Sequence, residues 1–359
     1  MLQKAREFYG RYERPISSLS LIGGFIFDAI VLRRVDQFSD NLWVLIHIFI
    51  VGAAMIWVHT LTEGNEADPQ SLKFWLVNII QFFFGGLLSI FLVFYFRTGD
   101  LATSWPFLLL LALVFWANES LKRQYVRLSF QVALFYLSLF AIATYLVPVV
   151  IHRIGDPIFI LSSITATLVI ILFLWIIKKT SPEKFKRSRN LMYVLIISIF
   201  IGMNVLYFTN IIPPLPLSLQ DGGVYHTLAV RGPGSYAVTY ENNGFFSFLH
   251  LYEPVHVPPD SNTLYVYSAV FSPAGLNTTI VHQWQYYDVS GETWVTTENV
   301  SLPVIGGASG GFHTYSEGQN LAPGLWRVNV LAVSGQIIDR IRFRVYYAST
   351  SPVLYSKVL

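Results

Sequence analysis

Residues 157–223 read PIFILSSITATLVIILFLWIIKKTSPEKFKRSRNLMYVLIISIFIGMNVLYFTNIIPPLPLSLQDGG, and this stretch decides the fold. Two apolar runs, 157–177 and 191–212, flank the basic segment KKTSPEKFKRSR at 178–189. Each run is close to the ~20 residues that carry a helix across ~30 Å of hydrocarbon. At Pro213 the second run gives way to a Pro-rich exit, which is extended and stiff. The stretch therefore reads as two membrane spans joined by a basic loop and followed by a linker.

Upstream lie five further apolar stretches, 16–32, 42–62, 74–96, 101–117 and 128–151, and none follows residue 213. The first and fourth are short, and Pro106 sits near the start of the fourth, where a missing backbone donor costs little. The 359 residues are 53% hydrophobic and only 13% charged, with a mean hydropathy of +0.51. That is about half the charge of an ordinary soluble domain. It excludes a soluble enzyme and a disordered chain. A net charge of +3 is too small to suggest a nucleic-acid partner. Without cysteine there is no disulfide, thiol nucleophile or thiolate metal site.

Short-loop Lys and Arg set the expected orientation. With the N-terminus inside, fourteen of them fall in inner segments and four (Arg33, Arg34, Arg97 and Arg153) in outer loops. Glu63, Glu66 and Asp68 make one inner loop acidic, but acidic residues weigh little in this rule. The start, MLQKAREFYGRYERP, is basic but leads into a segment with Asp28 and no small-residue cleavage site. It is read as a segment preceding an uncleaved span. The expected division is an interfacial segment at 1–15, a seven-span helical bundle at 16–212, a linker at 213–223 and an outer domain at 224–359. This places the protein in the cytoplasmic (inner) membrane with its C-terminal domain outside.

Beyond the linker come seven β-type runs: VYHTLAV, YAVTYE, TLYVYSAVF, TIVHQWQYYDV, TWVTTENVSLPV, LWRVNVLAV and IIDRIRFRVYY. Turn signals such as ENNG and AVSG separate them, which predicts an all-β, immunoglobulin-like antiparallel sandwich. In LWRVNVLAV, Trp326, Val328 and Val330 alternate with Arg327 and Asn329, giving one buried face and one wet face. RIRFRV alternates Arg340, Arg342 and Arg344 against Ile341, Phe343 and Val345 in the same way.

Two segments, VHQWQYYDVSGETWV and GGFHTYSEGQNLAPGLWRVNVLAVSGQIIDRIRFRV, resemble the bacterial extracytoplasmic family known as domain of unknown function 2914. The resemblance rests on a His-x-Trp strand (His282, Trp284), a Tyr-Ser pair (Tyr315, Ser316), a Gly-x-Trp-Arg-Val strand (Trp326, Arg327, Val328) and a closing Phe-x-Val strand (Phe343, Val345). It covers about the last 80 residues. GGFIFDAIVLRRVD, FFFGGLLSIFLVFYF and WANESL upstream resemble the multi-span part of some members. The resemblance implies a membrane-anchored sandwich and no particular activity. Where the family carries an aromatic-Arg pair before Tyr-Ser, this chain has Phe312-His313.

Candidate functional residues fall in two groups. An Asp at mid-bilayer costs roughly 2.5–3.5 kcal/mol, so polar groups within spans face a partner or water. Asp28, His47, Gln81, Asn118, Glu119 and Asn204 are these groups, with Arg33 and Arg34 as basic candidates at the outer surface. They form either a polar path or interhelical hydrogen bonds. Gly23-Gly24 and Gly85-Gly86 are close-approach points. In the outer domain, His282, Trp284 and Tyr286 share one strand face, with Gln283, Gln285 and Tyr287 on the other. The first face is either a glycan-stacking platform or part of the core. His313, Tyr315 and Arg327 complete the candidate set. His282 and His313 could meet, but two histidines lack the third ligand that a metal site needs.

No HExxH, GxSxG, Walker loop or GxGxxG motif occurs, so catalysis has no signature here and no cofactor or metal is implied. The expected function is a membrane-anchored extracytoplasmic binding or scaffold protein of the cell envelope. Its expected partners are the bilayer and a glycan, lipid headgroup or protein. The alternative is a transporter or membrane-embedded enzyme with a polar site near Asp28.

Overall fold

The computed structural model describes residues 23, 25–30, 38–61, 71–98, 101–120, 122–212, 216–242, 244, 251–258, 263–308, 310–348, 350 and 352–359. They form two compact units, one helical and one built from strands. In the first, residues 25–30 are helical. There follow α1 (Phe38–Thr60), α2 (Leu72–Thr98), α3 (Leu101–Ser120), a 3₁₀ turn (Lys122–Val126), α4 (Leu128–Ile151), α5 (Asp156–Thr180) and α6 (Pro182–Phe208).

Among the described residues, five helices (α1, α2, α4, α5 and α6) are long and apolar enough to cross a membrane, where the sequence predicted seven spans. In α3 the apolar part, Ser104–Asn118, supplies only about 22 Å of helix axis, short of a full crossing. Most of the first expected span lies outside the described residues. The basic segment 178–189 is also not a loop. α5 runs to Thr180 and α6 starts at Pro182, so one residue, Ser181, makes the corner. Proline suits this first helical position because its missing N–H would be unsatisfied there anyway.

Close contact within the helical unit depends on small residues. A Cβ on Gly86 would stand 3.1 Å from Nε2 of His47, and one on Gly52 3.3 Å from the Phe135 ring. Phe159 and Tyr207 stack face to face with ring centroids 3.6 Å apart.

Among the described residues of the second unit there are eleven strands in three sheets. They are β1 (Ser218–Tyr225), β2 (Thr227–Gly232), β3 (Ser235–Glu241), β4 (Glu253–Val257), β5 (Leu264–Phe271), β6 (Thr278–Asp288), β7 (Thr293–Val304), β8 (Phe312–Gly318), β9 (Gly324–Ala332), β10 (Ile337–Tyr347) and β11 (Leu354–Val358). The sheet orders are β1-β5-β8, β4-β10-β9-β6-β7 and β11-β3-β2. All pairs are antiparallel except β4 with β10. An immunoglobulin-like sandwich has two sheets; this unit has a third, and VYHTLAV breaks across β1 and β2.

Residues from the first two sheets mingle in one apolar cluster around Trp284, Trp326, Phe343, Val266 and Val224. A second cluster gathers Leu217, Val270, Ile280, Val330 and Ile338. The third sheet covers the opposite side of β5 with Val238, Tyr236 and Tyr240 against Tyr267 and Ala269. Trp284 is 1% exposed, and its ring lies where a side chain on Gly318 would be, 2.5 Å from that hypothetical Cβ. Gly318→Ala is therefore expected to displace the indole and destabilise the strand unit by about 1–3 kcal/mol. Thermal unfolding followed by tryptophan fluorescence checks this.

Candidate functional site

In β6 the pleat turns His282 and Trp284 inward, between the β1-β5-β8 sheet and its own. His282 is fully buried and is held at both ring nitrogens: Nε2 lies 2.8 Å from Oγ of Ser268 on β5, and Nδ1 2.8 Å from Oγ of Ser316 on β8. Trp284 Nε1–H donates to the same Ser316 oxygen at 3.0 Å. With that oxygen accepting from the indole, the order in which no donor goes unused has Ser316 donating to Nδ1 of His282. The imidazole N–H at Nε2 goes to Ser268, and Ser268 donates to Oγ1 of Thr314 at 2.9 Å. Thr314 closes the chain on the carbonyl of Ser268. Every donor in this order has one acceptor, which a neutral imidazole requires. Burial pushes the His282 pKa down to about 3.

The face read as either a stacking platform or part of the core therefore lies inside at His282 and Trp284. Both side chains are interior, joined to Ser316. Tyr286, on the same face, is partly buried against Trp326 and donates to the carbonyl of Pro323. His282 and His313 do not meet, because Thr314 and Ser316 take the inward positions of β8 and its alternation turns His313 and Tyr315 to the other side. There Tyr236 packs 5.5 Å from Tyr315, and Tyr267 packs 5.5 Å from His313, ring centroid to centroid. Among the described residues no group of three or more His, Asp or Glu side chains is arranged so that it could hold a metal ion.

The same pleat sends Gln283 and Gln285 outward, beside the wet face of β9. There the side chains form a connected lattice. Asn329 Nδ2 donates to Oε1 of Gln283 and of Gln285, at 2.9 and 3.0 Å. Arg327 Nε donates to Gln285 Oε1 at 2.7 Å, Gln285 Nε2 to Thr296 Oγ1, and Arg340 Nε to Asn329 Oδ1. The Arg327 guanidinium lies over the Trp294 ring, 4.1 Å from its centroid. Gln285 and Asn329 are buried and make the floor; Arg327, Arg340, Arg342 and Trp294 are half-buried around it. Burial, joined by the neighbouring charges of Arg340 and Arg342 against the opposing effect of Tyr252, lowers the Arg327 pKa to about 10. This is a rigid, cationic plane with one aromatic edge, shaped for an anionic, planar or ring-bearing group. Of the outer-domain candidates, Arg327 alone belongs to it. Asn329 and Arg340 were signalled by the wet-face alternation of β9 and β10 and Gln285 by the second face of β6, whereas nothing in the sequence set Trp294 apart.

A separate clamp ties β3 to its neighbours. Glu241 accepts from His226 Nε2 at 2.9 Å, and from His256 N and Nδ1 at 2.6 and 2.8 Å. Burial raises the Glu241 pKa, but these bonds outweigh it and hold the carboxyl below its usual value.

In the helical unit the polar candidates separate. Asp28 is buried and accepts from Ser89 Oγ of α2 at 2.5 Å. His47 bonds through Nδ1 to the carbonyl of Trp43 and packs edge-on to Phe83. Gln81 donates to the carbonyl of Asn118, whose Oδ1 accepts from Tyr125, whose carbonyl accepts from Gln131. Gln131 Oε1 in turn faces His59 Nε2 at 3.0 Å. Asn204 turns back to the Phe200 carbonyl of its own helix. Arg33, Arg34 and the Glu119 side chain lie outside the described residues. The contacts of Asp28, Gln81 and His59 join helix to helix, as interhelical hydrogen bonding does, whereas His47 and Asn204 bond within their own helices.

Residues 277–345 match the family described as Protein of unknown function (DUF2914). The matched segment runs from β6 into β10 and holds His282, Trp284 and Ser316 as well as the outward lattice. No curated protein matches the sequence. A solved structure of a beta-glucosidase from Listeria innocua in complex with isofagomine is similar over 33% of this chain, at 14% identity and a TM-score of 0.20. The likeness spans 16% of that protein's length, and one so slight bears on neither fold nor activity.

The buried imidazole makes stability depend on pH. Below about 6.5 the unfolded chain protonates His282, while the folded chain does not until about 3, so stability falls as pH drops through that window. Relative to neutral pH, about 2–3 kcal/mol is lost by pH ~4.5. His282→Asn is expected to flatten this slope. Unfolding midpoints measured between neutrality and pH ~4.5, above the range where Glu241 protonates, check it.

Proposed function

We propose that this is a multi-span membrane protein of the bacterial envelope, with its N-terminus inside the cytoplasmic membrane. It presents its strand domain outside as a binding module for an acidic glycan. Short-loop Lys and Arg support the orientation. The observation that carries the binding reading is the outward lattice of the five-stranded sheet, where Arg327 is clamped between Gln285 and the Trp294 ring beside Arg340. Prepositioned guanidinium donors next to an aromatic face suit a carboxylated sugar: the cation takes the carboxylate and the indole takes the ring. The lattice spends its amides on one another, so the arginines enter a complex already ordered and lose less entropy on binding.

Full-length protein in detergent is expected to retain polygalacturonate, a uronic-acid polymer, and not neutral dextran. The Arg327→Gln, Trp294→Ala double variant is expected to weaken retention by about tenfold or more while melting near the wild-type temperature. Equal retention of both polymers, or of neither, overturns the reading. Affinity electrophoresis with each polymer measures it.

A further inference from the structure

A cavity of about 430 Å³ opens where α1 ends and where α2, α4 and α6 begin. Its size falls within the ~300–1,000 Å³ of small-molecule sites. Lys73, Arg127, Lys184 and Arg187 line it, with Ser129 and Ser188 between them, and no Asp or Glu lines it among the described residues. Lys184 is fixed in place, donating to the carbonyls of His59 in the last turn of α1 at 2.8 Å and of Leu61 just beyond it at 3.1 Å. His59 is fixed in turn by Gln131 across the cavity wall. The rest of the lining is apolar: Val58, Val77, Val126, Leu128 and Leu191.

Arg127 and Arg187 bring their positive charge to the space that Lys73 and Lys184 also line, and an anion placed there is attracted by all four. α4 and α6 also start at this end, where the helix dipole favours negative charge. The cavity lies at the ends of helices long enough to cross a membrane, which is the level of the lipid headgroups. Its apolar walls suit the glycerol and first methylenes of a lipid better than a free hydrated ion. We propose that this cavity holds the phosphate of an anionic phospholipid, with Arg127 and Arg187 as the outer pair of its four cations.

The test is native mass spectrometry of the full-length protein in detergent, titrated with phosphatidylglycerol or phosphatidylcholine, and with inorganic phosphate as a third arm. Saturable retention of phosphatidylglycerol over phosphatidylcholine is expected. Arg127→Gln with Arg187→Gln should weaken it about thirtyfold, at the usual contribution of a basic residue near anionic lipid. Arg127→Lys with Arg187→Lys should restore most of the affinity, and Arg189→Gln, outside the lining, should leave it unchanged. Equal retention of the two lipids overturns the proposal. So does wild-type affinity in the Gln pair. Binding of inorganic phosphate without phosphatidylglycerol rejects the lipid as its source. If the Gln pair fails to fold, the comparison of the two lipids on wild-type protein still decides.

Discussion

The strand unit depends on the pleat of β6. Successive side chains on a strand point to opposite faces, so the burial of His282 and Trp284 fixes where Gln283 and Gln285 go. The inward pair carries polar atoms into an apolar space, and each must find a partner there or cost several kcal/mol. Ser316 serves both, Ser268 and Thr314 complete the chain, and three strands from two sheets are thereby locked at one level. Outward, the same register brings Gln285 opposite Arg327 and Gln283 opposite Asn329, which is what builds the lattice. One geometric constraint thus creates the interior clamp and the exposed plane together.

The helical unit is solved by different means. Apolar side chains between helices gain little over lipid, so close backbone approach and hydrogen bonds must hold the helices together. Gly86 under His47, Gly52 under Phe135, and the Asp28–Ser89 and His59–Gln131 pairs supply both. α6 shows the other side of this: little of it is buried, and Leu191, Val194, Ile197, Ile201 and Val205 stand exposed along it. Such a surface is stable only in contact with hydrocarbon or another apolar body.

Much of this was legible in the sequence where the chain follows a simple period. The wet and dry faces of β9 and β10 could be read directly, because Val328, Val330, Ile341 and Phe343 mark the inner side. β8 escaped notice for a physical reason. Its inward residues include Thr314 and Ser316, chosen to bond His282, so FHTYSEG shows no hydrophobic alternation. β11 is exposed along its whole length and β4 carries a proline, so neither shows a pattern. The His-x-Trp pair was visible but not its role, since a histidine and a tryptophan on one face look alike in a core and in a binding platform. Only the positions of Ser268 and Ser316, 14 and 34 residues away, separate the two.

Why a strand unit should keep a histidine that acid penalises follows from register. An apolar residue in place of His282 would avoid the desolvation cost but would accept a neighbouring strand in any alignment. A one-residue slip of β6 would put Gln283 and Gln285 inside and His282 outside. Because Ser268 and Ser316 are set to bond the imidazole, that slip also takes this partner from both, and a buried unsatisfied group costs about 1–3 kcal/mol. The penalty falls on the wrong alignment rather than the right one. A network that adds little net stability can therefore still fix which side chains reach the outer face, Arg327 and Trp294 included.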